Sequence, residues 1–312
     1  MRIIIITAVS VVAFLLLGFV ISYVAVNRLM FVKFFKRRAD EDVLSVSLED
    51  GYYDNCRSEM KAAAGEIEKL SSERITTTSK DGITLSARLF SCGSDKLIMF
   101  FHGVRSYSPY CFGVFALEAY KRAYDVLFVD QRAQWESGGK YITYGKRESD
   151  DVLRWLEKIS DDKIKEIYLY GISMGASTLC YASDKIADKR VKSIVADCGY
   201  TSPRELIDHI LKRQKVPEFL VAAAFHAGEK IAKAGMKDKT EEHLSKTSIP
   251  VFFIHGEDDT VVPVSHSERN FNACRSKKRL EIVKNAGHAC AAVVGGKELR
   301  DKIFLFLGDN NE

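Results

Sequence analysis

The 312-residue sequence has no CxxC pair, no internal repeat, no low-complexity stretch and only 5 prolines. Without a CxxC pair, a structural zinc site lacks its usual ligand spacing. An odd count of 7 cysteines in a chain this long does not indicate the disulfide framework of a small secreted domain. Several of these cysteines stand in apolar stretches and read as buried free thiols. An excess of one charge is also missing. With 46 basic and 42 acidic side chains, the net charge of +4 gives no reason to invoke nucleic acid as a partner. A composition 46% hydrophobic and 28% charged excludes wholesale disorder and supplies enough apolar surface for a sizeable core.

One long apolar run is present. Residues 3–26, IIIITAVSVVAFLLLGFVISYVAV, carry no charge. A helix of that length rises roughly 36 Å, against a hydrocarbon core of about 30 Å. The expectation is a membrane anchor over 1–30 rather than a cleaved signal peptide, whose apolar region is shorter. Arg28, Lys33, Lys36, Arg37 and Arg38 come after the run, whereas only Arg2 and the terminal amine precede it. This asymmetry favours a single-pass protein of the cell membrane with its main domain on the cytoplasmic side. A very short N-terminal tail also occurs in anchors that export their C-terminal domain, so the side stays open.

Residues 31–74 read as a polar connector containing a helix over 58–70. Beyond it the pattern is strand, turn, strand: 74–79 and 84–90 flank Asp81-Gly82, a hairpin signal. Short apolar runs at 96–101, 126–129, 167–170, 193–196 and 251–254, and a more mixed run at 280–283, complete a set of eight strands. Helical patterns at 110–124, 149–159, 176–186, 265–273 and 297–307 alternate with them. Such alternation predicts an α/β fold with a mostly parallel eight-stranded sheet and helices on both faces. The core is then 75–200 together with 251–312. Residues 201–250 break the rhythm and are too long for a plain connection. They read as several helices forming a cap over the strand ends.

The central motif is Gly171-Ile172-Ser173-Met174-Gly175, between a strand and a helix. A sharp strand-to-helix turn leaves the serine hydroxyl exposed, and small flanking residues permit the strained backbone. Serine needs a base to act as a nucleophile. A nucleophile–acid–histidine order is met by Ser173, the carboxylates of His255-Gly-Glu-Asp-Asp-Thr-Val-Val-Pro263, and His288 in Asn285-Ala-Gly-His288. All three segments come directly after predicted strands, where open α/β sheets place their sites. An oxyanion hole requires two backbone donors. The N–H of Met174, after the nucleophile, and that of Val104, in the loop after the third strand, are the candidates.

With these motifs in view, the sequence resembles the α/β-hydrolase superfamily, and within it bacterial serine hydrolases with an N-terminal anchor. The resemblance runs from about residue 75 to 308, through HG after the third strand, DQR with ESGGKYITYG, GISMGAS, ADCGYTSPRE, HGEDDTVVP and NAGHA. It implies that the acid is Asp259, three before the Val of D-x-x-V-P, and excludes its neighbour Asp258. It implies a carboxylesterase-like hydrolase with a Ser173–His288–Asp259 triad. The substrate would be a small acyl compound, with no cofactor and no metal. A peptidase or thioesterase on the same triad, or a non-catalytic binding protein on the scaffold, are the alternatives. The chain departs from the family at Gln134-Trp135, where His-Gly is frequent, which implies altered loop packing.

His102 and His255 read as structural imidazoles bonded to loop backbone. His209, His226, His243 and His266 read as surface or insertion residues. Cys198 and Cys290 lack the elbow context of a nucleophile. Phe219, Leu220 and Phe225 in the insertion have two readings, an acyl pocket or packing of the cap.

Overall fold

The computed structural model describes residues 2–38, 56–159, 163–233 and 235–308. An eight-stranded sheet runs β1 (Glu73–Thr78), β2 (Thr84–Phe90), β4 (Asp125–Asp130), β3 (Lys96–Phe101), β5 (Glu166–Ile172), β6 (Val191–Asp197), β7 (Val251–Gly256) and β8 (Lys278–Val283). The β1–β2 and β2–β4 pairs are antiparallel and all others parallel. The sheet therefore matches the expected count and mixture.

Alternation along each strand sends neighbouring side chains to opposite faces. Phe100, Tyr168 and Tyr170 join one apolar layer, with Phe112, Phe115 and Phe304. Phe101, Ile167 and Leu169 join the other, with Trp155 and Leu179. The helices supplying the first layer include α2 (Arg57–Ile67), α3 (Ser108–Lys121) and α11 (Gly296–Gly308). The second is covered by α4 (Glu148–Lys158), α5 (Met174–Ala182) and α9 (Ser265–Ala273). Between β6 and β7 stand α6 (Pro203–Arg213), α7 (Glu218–Ala227), a π turn over Gly228–Ala232 and α8 (Thr240–Leu244). The several helices read over 201–250 take this form.

The N-terminal helix α1 (Arg2–Phe34) contains one segment, Ile5–Phe34, long and apolar enough to cross a membrane. Its described side chains over 5–25 are exposed, a stretch of roughly 32 Å. Burial starts where that stretch stops. Phe31, Phe34 and Phe35 are buried against Tyr144, Tyr200, Leu206, Val221 and Phe225. Each phenylalanine buried in this way stabilises by roughly 1.5–3 kcal/mol. The backbone after the helix then pairs with a loop of the body. Lys36 bridges Tyr141, the Ile142 N–H donates to the Phe35 carbonyl at 2.8 Å, and the Arg37 N–H donates to that of Lys140 at 3.0 Å.

Within the stretch read as a connector over 31–74, Phe31, Phe34 and Phe35 pack on the body and Lys36 and Arg37 pair with its loop. Helix α2 buries Met60, Ala63 and Ile67 against the body. Residues 39–55 of that connector lie outside the described residues.

Candidate active site

The parallel strands end at one rim, and the three candidate side chains meet there. Ser173 comes directly after β5 and precedes α5, at φ 54° and ψ −113°. Holding a non-glycine residue in this region costs on the order of 1–3 kcal/mol, and the surroundings must enforce it. They do so by close approach. A Cβ on Gly171 would run into the Gly175 carbonyl, and one on Gly175 into that of Phe101. The Ser173 N–H donates to the Asp197 carbonyl at 2.8 Å, which ties the turn to β6.

Asp259 lies in the loop after β7, where the N–H groups of Val261 and Val262 both donate to its Oδ1 at 2.8 Å. Its Oδ2 lies 2.7 Å from Nδ1 of His288. The other ring nitrogen, Nε2, lies 3.0 Å from the Ser173 hydroxyl. With Nδ1 donating to the carboxylate, Nε2 is left to accept from Ser173. Asp258, by contrast, is exposed.

Burial opposes ionisation of Asp259, yet His288 and His255 together outweigh it and hold its carboxyl well below the usual carboxylate range. Burial likewise opposes charging of His288, but the Asp259 carboxylate and its hydrogen bond prevail and raise the imidazole above its ordinary value. Each group therefore favours the charge of its partner, as a base needs when it receives a proton next to a carboxylate.

The two expected amide donors belong to segments that adjoin Ser173. Met174 opens α5, so its N–H is one of the helix-initial donors with no partner one turn back. On the other side, a Cβ added to Gly103 would lie 3.4 Å from the Ser173 Cβ, which puts the turn at Val104 beside the serine. The Gln134-Trp135 pair braces that turn. Gln134 Oε1 accepts from the Arg105 N–H, and the Trp135 indole donates to the Ser106 carbonyl at 2.6 Å.

The accessory histidines separate. His102 Nδ1 lies 2.7 Å from the Gly103 carbonyl, and its Nε2 accepts from the Gln131 N–H at 3.1 Å. Burial pushes it down to about 4, so it is neutral. His255 also bonds to backbone, at 2.9 Å from the Val262 carbonyl, but its Nε2 stands 3.2 Å from Asp259 Oδ2 as well. That second contact went unread in the sequence, although His255 opens the very motif that supplies Asp259. His266 is buried, not superficial, with Nδ1 2.8 Å from the Thr201 hydroxyl.

Asp197, at the end of β6, also went unread. It is fully buried, and neither carboxylate oxygen has a hydrogen bond of normal geometry. Burial, with the nearby Asp259 charge, pushes it up to about 7 against the pull of His255 and His288. Cys198 beside it could form a metal-ligating group with Asp259 and His288, since their ligand atoms lie within 4.8 Å of one another. However, burial drives the Cys198 thiol well up, and the other two donors are bonded to each other. That donor set suits a hydrogen-bonded relay better than a cation.

A family model describing the alpha/beta hydrolase fold matches residues 96–216. The protein YqkD of Bacillus subtilis (strain 168) is 29% identical over 202 residues, covering 61% of this chain and 64% of YqkD. The lysophosphatidylserine lipase ABHD12 of Xenopus tropicalis is 21% identical over 206 residues, covering 61% of this chain and 51% of that protein. The chain thus spans between half and two thirds of these relatives. Among solved structures, the Pyrococcus furiosus esterase Pf2001 superposes with a TM-score of 0.65 at 25% identity, over 78% of this chain and 93% of the esterase. The sheet order, the elbow at Ser173 and these likenesses agree: the chain has the α/β-hydrolase fold.

Proposed function

We propose that this protein is a serine hydrolase that cleaves an ester by two-step acyl transfer. The observation that carries the reading is the continuous relay Ser173–His288–Asp259, with contacts of 3.0 and 2.7 Å, set on a strained strand-to-helix turn. In the first step His288 Nε2 takes the Ser173 proton as Oγ attacks the acyl carbon. The N–H groups of Val104 and Met174 stabilise the tetrahedral oxyanion. His288 then protonates the leaving alcohol, and in the second step it activates water to release the acid. Asp259 holds the imidazole and stabilises its charged form. The resemblance to the Pyrococcus esterase supports an ester over other acyl bonds.

In this reading α1 anchors the protein, and the helices between β6 and β7 cap the site. The buried end of α1 shares one apolar cluster with the Met174 side chain and the partly buried Val104. Such proximity of anchor and site favours an amphiphilic ester. The lipase named among the relatives agrees with this. Phe225 packs inside the cap, whereas Phe219 is 66% exposed on α7, the helix packed along α1. Of the two sequence readings for these residues, packing suits Phe225, and Phe219 is free to meet lipid.

A fluorophosphonate probe tests the nucleophile: it should label wild-type protein at Ser173 and leave Ser173→Ala unlabelled. The same variant should hydrolyse p-nitrophenyl esters at least ~10³-fold more slowly. Near-normal turnover by Ser173→Ala refutes the assignment.

A further inference from the structure

Two cysteines meet next to the catalytic histidine, far from each other in sequence. Cys56 is the N-cap of α2, and Cys290 the N-cap of α10 (Ala291–Val294), two residues beyond His288. Their sulfurs lie 2.9 Å apart across a sequence separation of 234. Both are buried in one apolar cluster with Met60, Tyr110 and Val293. Only about an ångström of approach separates this contact from a covalent bond. The pairing is also lopsided. The hydrogen bond with Cys290 lowers Cys56 against the effect of burial, whereas that same contact and burial raise Cys290. Cys56 is therefore the sulfur that reaches the thiolate first.

We propose that Cys56 and Cys290 form a redox modification site, closed to a disulfide by exchange with a small-molecule disulfide. The Cys56 thiolate attacks one sulfur of the reagent, forming a mixed disulfide and expelling a thiolate, which takes up a proton. Cys290, deprotonated, then attacks the Cys56 sulfur. The protein disulfide forms and the second reagent thiolate leaves. Two protein thiols are oxidised, and one reagent disulfide is reduced to two thiols. Because both sulfurs are buried, the exchange proceeds through local undocking of the N-terminal end of α2. The closed bond ties α2 to the loop that carries His288 and fixes that loop from below. Cys92, the exposed cysteine, has no such role and serves as an internal control.

The test uses the full-length protein in detergent micelles. It is brought to constant composition in glutathione buffers from fully reducing to fully oxidising, then trapped with N-ethylmaleimide in denaturant and digested. Under oxidising conditions the peptide containing Cys56 should appear joined to that containing Cys290, and dithiothreitol should reverse the link. Cys56→Ser should leave Cys290 alkylated throughout, and Cys290→Ser should do the same for Cys56. The half-inactivation temperature of the oxidised wild type should rise on the order of 5 °C above that of the reduced form. The proposal is overturned if Cys56 and Cys290 stay alkylated, carry separate glutathione adducts, or pair elsewhere, in samples where Cys92 has been glutathionylated. The mass measurement requires no turnover, so its outcome is independent of the hydrolase reading.

Discussion

The rim of the sheet and the helices between β6 and β7 are built on opposite principles. At the rim, position comes from hydrogen bonds and charge. Asp259 is held by two backbone N–H groups and two imidazoles, and His288 by Asp259 and Ser173. In the helical region, position comes from apolar contact. Phe31 and Phe34 of α1, with Phe35 directly after it, fill a cluster with Leu206, Val221 and Phe225. A hydrogen-bonded relay fails when one partner changes, whereas an apolar cluster tolerates repacking at a cost in stability. In the proposed function, chemistry and substrate choice would thereby fall to separate parts of the molecule.

This division of labour fails if rim variants unfold the protein or if variants of the helical region abolish turnover. The largest expected effect is at Asp259. Asp259→Asn should lower kcat by about 10³–10⁴-fold, with a thermal midpoint that shows the domain still folded. Next comes the acid limb of kcat/KM. The base must be neutral, and Asp259 raises His288 above its ordinary value, so wild-type activity should fall with decreasing pH from a midpoint above that value. Asp259→Asn should move the midpoint to lower pH, and an unmoved limb would detach Asp259 from the base.

In the apolar cluster, Phe35→Ala should cost about 3–5 kcal/mol of stability, read as a lower thermal midpoint. The folded fraction should keep its kcat on a short, soluble ester. Loss of kcat at an unchanged midpoint would mean that the anchor's packing sets the chemistry directly.

The smallest effect is expected at Asp197. Its carboxyl is pushed from 3.8 to about 7 by burial, so in that range the folded chain keeps a proton that the unfolded chain has released. Its contribution is therefore present at low pH and lost as pH rises through that window. Asp197→Asn should remove this slope and gain a few degrees over wild type at pH 8 but not at pH 4. A constant difference at both pH values would contradict the buried charge.

Much of the rim was legible in the sequence because its residues sit in short motifs directly after strands. Gly171 and Gly175 announce a backbone approach that no other residue allows, and the paired Asp258 and Asp259 differ only in register. The eight strands were legible for a related reason, since runs such as KLIMFF are buried on both faces. What remained hidden depends on distant pairings. Nothing local marks Phe35 as a core residue, because it continues an apolar helix read as an anchor. The meeting of Cys56 with Cys290 needs the docking of α2 beside the loop of His288, and both cysteines looked like ordinary buried thiols. His255 was read as structural, correctly for its bond to Val262, but its reach to Asp259 arises from loop curvature alone.

The segment leaving α1 is laced to the loop beside the nucleophile. The Arg105 guanidinium donates to the carbonyls of Phe34 and Lys36, the Tyr144 hydroxyl to that of Phe34, and Arg37 to those of Ser137 and Trp135. If a bilayer holds α1, as proposed, a domain fastened this way has no tether length over which to wander from it. Its encounters with substrate would then be counted per unit area of lipid rather than per volume of water, and dilution of the surrounding solution would leave the rate unchanged while dilution within the lipid would lower it.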